Sequence, residues 1–443
     1  MQAGSPAGSI REATAAIAHG QGSSRALLEA AQAAQHAHQD LNALAWVDWP
    51  GAARQADALD AQARAGKPLG PLHGIPVSIK DLFAVAGMPM AAGTRAALPP
   101  VGVEAQAVSR LRAAGALVFA KTNMHEIALG ASGENIWTGD VKNPLDPARQ
   151  AGGSSSGAGA AVATGIGLAG LGSDTGGSVR IPAAFCGVVG FKPTFGAIPL
   201  AGALHLSWTC DHAGPLTRSV DDAAILFEVM SGRRTGHGQV ARRPRLAVPA
   251  RWLKSRLGDS MHDWFETTLA GLRVHADLID VDTPELMRSW QFYTPIARAE
   301  GAHVHRAVLA AGGDGFSPAV LAPLQAGLKV SLPEYLDALR ERDRLRTELE
   351  SLLRDYDALV TPTTAVPAPL RGTAEVRVAS GMVPTREAAL GLTSPFSFVG
   401  LPAISLPAGR VEGLPGSLQV VGARDGDAAL LALSRWLESA AVH

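Results

Sequence analysis

The stretch from Gly152 to Gly196 constrains this chain more than any other. It is so rich in glycine, serine and alanine that it resembles a flexible linker, yet it holds blocks a linker lacks. Small apolar runs (Ala158 to Ala163, Ile166 to Leu171) alternate within it, and Phe185 to Pro193 is a rigid run. Side chains this small allow a helix and a strand to pack very closely and leave backbone exposed for chemistry. Bulkier residues elsewhere must then fill the core. Hydrophobic residues at 47% and charged ones at 18% supply enough apolar mass and too little charge for disorder.

The remaining chain reads as α/β. From about Ser9 to Ala65 apolar positions such as Leu27, Leu28 and Ala31 recur at helical spacing, giving a helical N-terminal layer over about residues 1–65. Ile75 to Lys80 and Ala116 to Lys121 are β-type runs with a helix, Glu104 to Ala114, between them, which is a βαβ pattern. Ser219 caps a helix that runs to Met230. Further strands are expected at Arg245 to Val248, Leu278 to Val281, Asp357 to Pro362, Ala403 to Pro407 and Ser417 to Val421. Helices are expected at Met261 to Leu272, Pro284 to Ala311, Glu334 to Arg354 and Ala428 to Leu437. No internal repeat is present. The loop from Ser231 to Pro244 is the one candidate joint, so the 443 residues are read as a single domain.

Thirty-nine basic against 40 acidic residues leave a net charge of −1, without the footprint of a nucleic-acid or membrane-surface partner. Cys186 and Cys210, the two cysteines, cannot build a disulfide framework, and no Cys/His cluster has zinc spacing. His205 and His212 lack it too and are read as structural. The N-terminus has no basic head followed by a long apolar run, and Gly157 to Gly172 is too short to span a bilayer. The expectation is a soluble, cytoplasmic protein needing no metal or cofactor.

Chemistry concentrates at Lys80, ending an apolar strand, and in two serine-bearing blocks, Gly152 to Gly157 and Gly172 to Pro182. A phosphate cradle is excluded by the missing Gly-Lys-Ser/Thr ending. Gly153 to Gly157 matches G-x-S-x-G, which would make Ser155 the nucleophile of an esterase-type elbow, but that needs a downstream acid and then a histidine. His303 and His305 lie in a stretch read as helical, and His443 is terminal.

A third reading accounts for more. Gly74-Ile75-Pro76-Val77-Ser78-Ile79-Lys80-Asp81, Gly152 to Gly157 and Gly172 to Pro182 resemble the amidase signature family. So do Lys121 to Glu126, Cys186 to Thr194, Gly214 to Arg218 and Gly400 to Ser405, in the same order from about residue 25 onward. The resemblance implies an α/β/α sandwich around a mixed, twisted central sheet and a Ser-cisSer-Lys triad that hydrolyses small-molecule amides. It assigns Lys80 as base, Ser154 as bridging serine after a cis peptide, and Ser178 as nucleophile.

Elementary chemistry fits each role. A serine hydroxyl needs a base to remove its proton, and a lysine is a base only when burial or a nearby positive charge strips its own. Thr175, Gly176, Gly177 and Ser178 offer successive backbone N–H groups for an oxyanion, where one donor is worth roughly 3 kcal/mol. Asp174 and Arg180 flank the nucleophile and are expected to pair and hold this loop. Ser155 supports the site and is also a candidate helix cap.

The glutaminase-type A subunit of a tRNA-dependent amidotransferase carries an acidic residue three positions before its Thr-x-Pro-x-Asn run. Here that position is Leu390, before Thr393 to Ser397, and Ala322-Pro323 replaces an expected arginine pair. A stand-alone amidase is therefore expected, and a homodimer is compatible with that reading. Substrate contacts are expected from Gly130, Ala131, Ser132, Trp137 and Trp208, the tryptophans serving equally well as core.

Overall fold

Short apolar runs spread along the chain assemble into one mixed sheet in a computed structural model that describes residues 8–236, 238 and 240–440. His443, considered above as a partner for an esterase-type serine, lies outside the described residues. The strands are β1 (Leu44–Val47), β2 (Pro76–Lys80), β3 (Leu117–Thr122), β4 (Ala169–Asp174), β5 (Val189–Lys192), β6 (His212–Thr217), β7 (Arg245–Val248), β8 (Asp277–Asp280) and β9 (Ala358–Pro362). A separate hairpin, β10 (Glu375–Val378) with β11 (Gly381–Pro384), precedes β12 (Ala403–Val411) and β13 (Leu414–Val421).

Eleven strands lie in the order β1-β3-β2-β4-β6-β5-β12-β13-β9-β7-β8. β2 runs parallel to both β3 and β4, and β9, β7 and β8 are mutually parallel. The strands between are antiparallel. The central strands β2, β3, β4 and β6 are buried along their whole length, as expected for a sheet covered on both faces by helices. The candidate joint at Ser231 to Pro244 does not divide the sheet, because strands from both sides of it share one ladder system.

The N-terminal layer is not purely helical. Helices Ile10–Ala18, Ser24–Ala37 and Trp49–Arg64 are capped by Ser9, Ser23 and Asp48, but Leu44–Val47 forms the edge strand β1, antiparallel to β3. Asn42, in the left-handed region at φ 56°, turns the chain into it. Four residues between two helices are too few for a periodicity argument to detect. The long helix expected from Pro284 to Ala311 breaks at His305 into Pro284–Val304 and Arg306–Ala310.

The small residues of the middle region serve close packing, as expected. A Cβ on Gly157, in helix Ser156–Thr164, would sit 2.2 Å from the Ala43 carbonyl oxygen, and one on Gly170 in β4 would sit 3.0 Å from the Ala158 Cβ. Glycine lets this helix press onto the sheet. No helix among the described residues is long and apolar enough to cross a membrane.

Candidate active site

β2 and β4 are parallel neighbours, so Lys80 at the end of one and Ser173-Asp174 at the end of the other reach the same edge of the sheet. Carboxyl ends of parallel strands are where open α/β sheets present ligands. The loop entering helix Ser156–Thr164 arrives at the same place, with a cis peptide between Gly153 and Ser154.

Lys80 Nζ lies 2.7 Å from Ser154 Oγ, 2.9 Å from Ser173 Oγ and 3.0 Å from Ser155 Oγ. Its side chain is wholly buried and, among the described residues, touches no carboxylate. Burial pushes the ammonium pKa down to about 7, against an opposing pull from Asp174 and Asp211. The Ser155 N–H donates to the Ser178 carbonyl at 3.2 Å and the His125 N–H to the Ser154 carbonyl at 3.2 Å, tying the serine loop to the Gly-Gly-Ser turn and to the loop after β3.

Ser155 occupies the cap position of its helix, but its hydroxyl makes no capping bond there. The Oγ donates to the Ser173 carbonyl (3.2 Å) and accepts the Ser173 N–H (3.3 Å), so β4 takes the hydroxyl that the cap would have used. Fully buried and with its proton committed, Ser155 lacks the exposed hydroxyl that an esterase-type elbow requires.

The turn Thr175-Gly176-Gly177-Ser178 is fixed from several sides. Thr175 Oγ1 donates to Asp211 (2.7 Å), and Thr393 Oγ1 donates to the Gly176 carbonyl (2.6 Å). Gly177 has φ 143°, a conformation that favours glycine, and a Cβ there would meet Thr393 Oγ1 at 2.2 Å. Among the described residues the N–H groups of Gly176, Gly177 and Ser178 have no protein acceptor, which leaves them free for an oxyanion.

Asp174 and Arg180 do pair, at 2.8 and 3.0 Å, both fully buried. Burial favours the neutral acid, but Arg180 outweighs it and holds the Asp174 carboxyl well below the usual range. Ser397, Thr393 and Gln419 complete the network by bonding to one partner or the other.

A cavity of about 310 Å³ is lined by Gly130, Ala131 and Ser132, with His125, Tyr293 and Arg386. It adjoins the turn, since a Cβ on Gly176 would lie 2.4 Å from the Tyr293 hydroxyl. Neither Lys80 nor a residue of the serine loops lines this cavity or the larger hollows near Arg11 and Arg435 (about 670 Å³) and near Ala34 and Arg410 (about 1020 Å³), but of the three only this cavity is bordered by the Tyr293 side chain that meets the glycine turn.

Neither of the two tryptophans expected at the substrate lines this cavity. Trp137 does not line the cavity, because its indole N–H is held by Glu126 at 2.9 Å and its ring lies under Arg95. Trp208 is 40% exposed and packs on His303. His205 bonds Asp211 at 2.9 Å and His212 bonds backbone carbonyls, as structural histidines do.

Sequence reasoning missed Ser173, Asp211, His125, Tyr293 and Arg386. Ser173 adjoins the recognised Asp174, and its place on the face of β4 toward Lys80 was the available signal. His125 lies in the Lys121 to Glu126 block without having been singled out, and Asp211, Tyr293 and Arg386 lie outside the blocks that carry the resemblance.

The chain matches the amidase family model over residues 25–431. It is 34% identical to AtzE of Pseudomonas sp., a component of 1-carboxybiuret hydrolase, covering 92% of this chain and 93% of that one. It is 35% identical to the A subunit of the glutamyl-tRNA(Gln) amidotransferase of Symbiobacterium thermophilum, covering 86% of each. A solved structure described as an amidase superposes with a TM-score of 0.95 at 50% identity, covering 98% of this chain and 99% of that one. The fold and site thus define an amide-hydrolysing enzyme, and the chain belongs to the amidase signature family.

Proposed function

We propose that this enzyme hydrolyses the carbon–nitrogen bond of a small carboxamide, giving a carboxylate and ammonia or an amine, through an acyl-enzyme on Ser178. The observation that carries the proposal is Lys80, buried among three hydroxyls with no carboxylate in contact. A neutral amine has two N–H donors and one lone pair. Ser155 has committed its proton to the Ser173 carbonyl and therefore accepts from Lys80. Ser154, at the shortest distance, is the hydroxyl suited to donate into the lone pair.

In this scheme Lys80 takes the proton of Ser154 while Ser154 takes that of Ser178, and Ser178 Oγ bonds to the amide carbon. The carbonyl oxygen becomes negative within reach of the free N–H groups of the glycine turn. The proton returns through Ser154 to the amide nitrogen, the carbon–nitrogen bond breaks, and the amine leaves. Water then attacks the ester carbon, passing one proton through Ser154 to Lys80; that proton returns through Ser154 to Ser178 Oγ as the ester carbon–oxygen bond breaks, and the carboxylic acid gives its remaining proton to solvent, leaving a carboxylate and neutral Lys80. The route uses no metal or cofactor.

A glutaminase role within an amidotransferase is the less favoured reading despite the identity to the amidotransferase chain. Leu390 is buried where an acidic anchor for the substrate amino group is expected, and Pro323 lines the cavity where the arginine pair is expected. We infer a stand-alone, cytoplasmic enzyme. A fluorophosphonate probe followed by peptide mapping tests the reading. The adduct is expected on Ser178, and an adduct on Ser155 would transfer the nucleophile to the elbow.

A further inference from the structure

The cavity beside the glycine turn carries charge that its walls leave unbalanced. Arg386, on helix Thr385–Leu390, and Arg298, on helix Pro284–Val304, both line it. Among the described residues neither guanidinium has a carboxylate within ion-pair distance. Arg386 is half-buried and rests on the ring of Trp290, 5.8 Å from its centroid, which fixes the side chain without neutralising it. Glu134 is the one carboxylate of the lining, and one of its oxygens already accepts the Gly372 N–H at 2.6 Å. His125 is kept neutral, its pKa pushed down to about 4 by burial and by the nearby Arg386.

Two cations against one anion leave a net charge of +1 on the lining of this cavity beside the glycine turn. A partly desolvated arginine without a partner is costly, and a planar carboxylate matches its fork of donors. The Tyr293 hydroxyl, close to Gly176 in the same cavity lining as Arg386, has no protein partner among the described residues and offers a further donor.

We propose that the amide substrate carries a carboxylate at the end remote from the scissile bond, and that Arg386 binds it, with Arg298 adding positive charge at the rim. This deepens the acyl-enzyme reading and rests on it. The unit excess of positive charge matches a monoanion, which points to half-amides of short dicarboxylic acids.

The test compares kcat/KM for succinamate and glutaramate with that for butyramide and valeramide. At least one half-amide is expected to exceed its neutral counterpart tenfold or more. In Arg386→Met that preference should fall to within twofold, mainly through KM, while Arg386→Lys keeps part of it. A half-amide preference that is absent in the wild type, or that survives Arg386→Met, would overturn the proposal. Titration calorimetry of Ser178→Ala protein with succinate and glutarate gives a readout independent of turnover. Binding of one diacid, lost in Ser178→Ala/Arg386→Met, is expected, and no binding of either counts against the site. Failure of every amide to turn over would instead break the amidase reading, leaving the calorimetry to decide the anion site.

Discussion

β2 and β3 lie side by side, and each buries a lysine completely, but the two lysines meet different partners. Lys121 Nζ lies 3.0 Å from Asp81 Oδ1 and donates to the Pro89 carbonyl. Among the described residues Lys80 Nζ meets only serine hydroxyls. Burial lowers the pKa of both, and at Lys121 the Asp81 carboxylate opposes the loss of the proton. A hydroxyl accepts from an ammonium and donates to an amine with equal ease, so the serines around Lys80 do not hold its proton in place. Equal burial thus yields an ion pair on one strand and a candidate base on the next, and the adjacent residue decides which.

The largest effect expected is on chemistry. Ser178→Ala should lower kcat by a factor on the order of 10⁴ or more, measured on any amide the enzyme turns over. Retention of more than a tenth of the activity would remove Ser178 from the nucleophile role.

The lysines should then separate cleanly. Lys80→Met is expected to cost activity on the order of 10³-fold in kcat, with Lys80→Arg rescuing nothing because guanidinium keeps its proton. Lys121→Met is expected to cost about 3–5 kcal/mol of stability instead, because Asp81 is left as an unpaired buried charge. Urea denaturation and steady-state rates on the two variants check this. Equal losses of both properties in both variants would erase the distinction.

Linkage sharpens the same contrast. The folded Lys80 pKa of about 7 lies below its ordinary value of 10.5, so between these limits the unfolded chain binds a proton that the folded chain lacks. Stability of the wild type from this group therefore rises with pH across that window. Relative to wild type, Lys80→Met should gain most below pH 7 and nothing above about 10.5, read from urea midpoints across the pH range.

A smaller effect is expected at Asp211, which accepts from Thr175, His205 and the N–H groups of Leu206 and Ser207. Asp211→Asn should lower kcat about tenfold by loosening the glycine turn, with a stability loss of about 1–3 kcal/mol. It also removes a charge that favours protonated Lys80, so the midpoint of the rate–pH profile should move to lower pH. An unmoved midpoint would leave Asp211 a purely structural role. Smallest of all is Trp208→Ala, expected to change stability by no more than about 0.5 kcal/mol and kcat/KM by less than twofold.

How much of this was legible in the sequence follows from locality. Lys80, Ser154, Ser178 and the Asp174–Arg180 pair sit in contiguous blocks that carry the family resemblance, and it is that resemblance which singles out the two serines and the lysine, whereas Ser219 and Arg245 to Val248 mark their elements by local caps and periodicity. Strand β1 was hidden because four residues between helices carry no period. The cavity wall was hidden for another reason: Tyr293 and Arg386 reach the cavity beside the glycine turn from separate helices, and no spacing along the chain encodes such a meeting. The tryptophans could not be placed from sequence because an indole supplies apolar area equally well to a pocket, to a half-buried contact with Glu126 and Arg95, or to a surface contact with His303.

The central claim is that Lys80 serves as an uncharged base, and the pH dependence of Ser178 acylation by a fluorophosphonate tests it most directly. In the wild type the acylation rate should rise about tenfold per pH unit below a midpoint near 7 and level off above it. In Lys80→Ala the rate should be low and that midpoint absent. A wild-type midpoint near the ordinary lysine value, or the same midpoint in Lys80→Ala, would contradict the account.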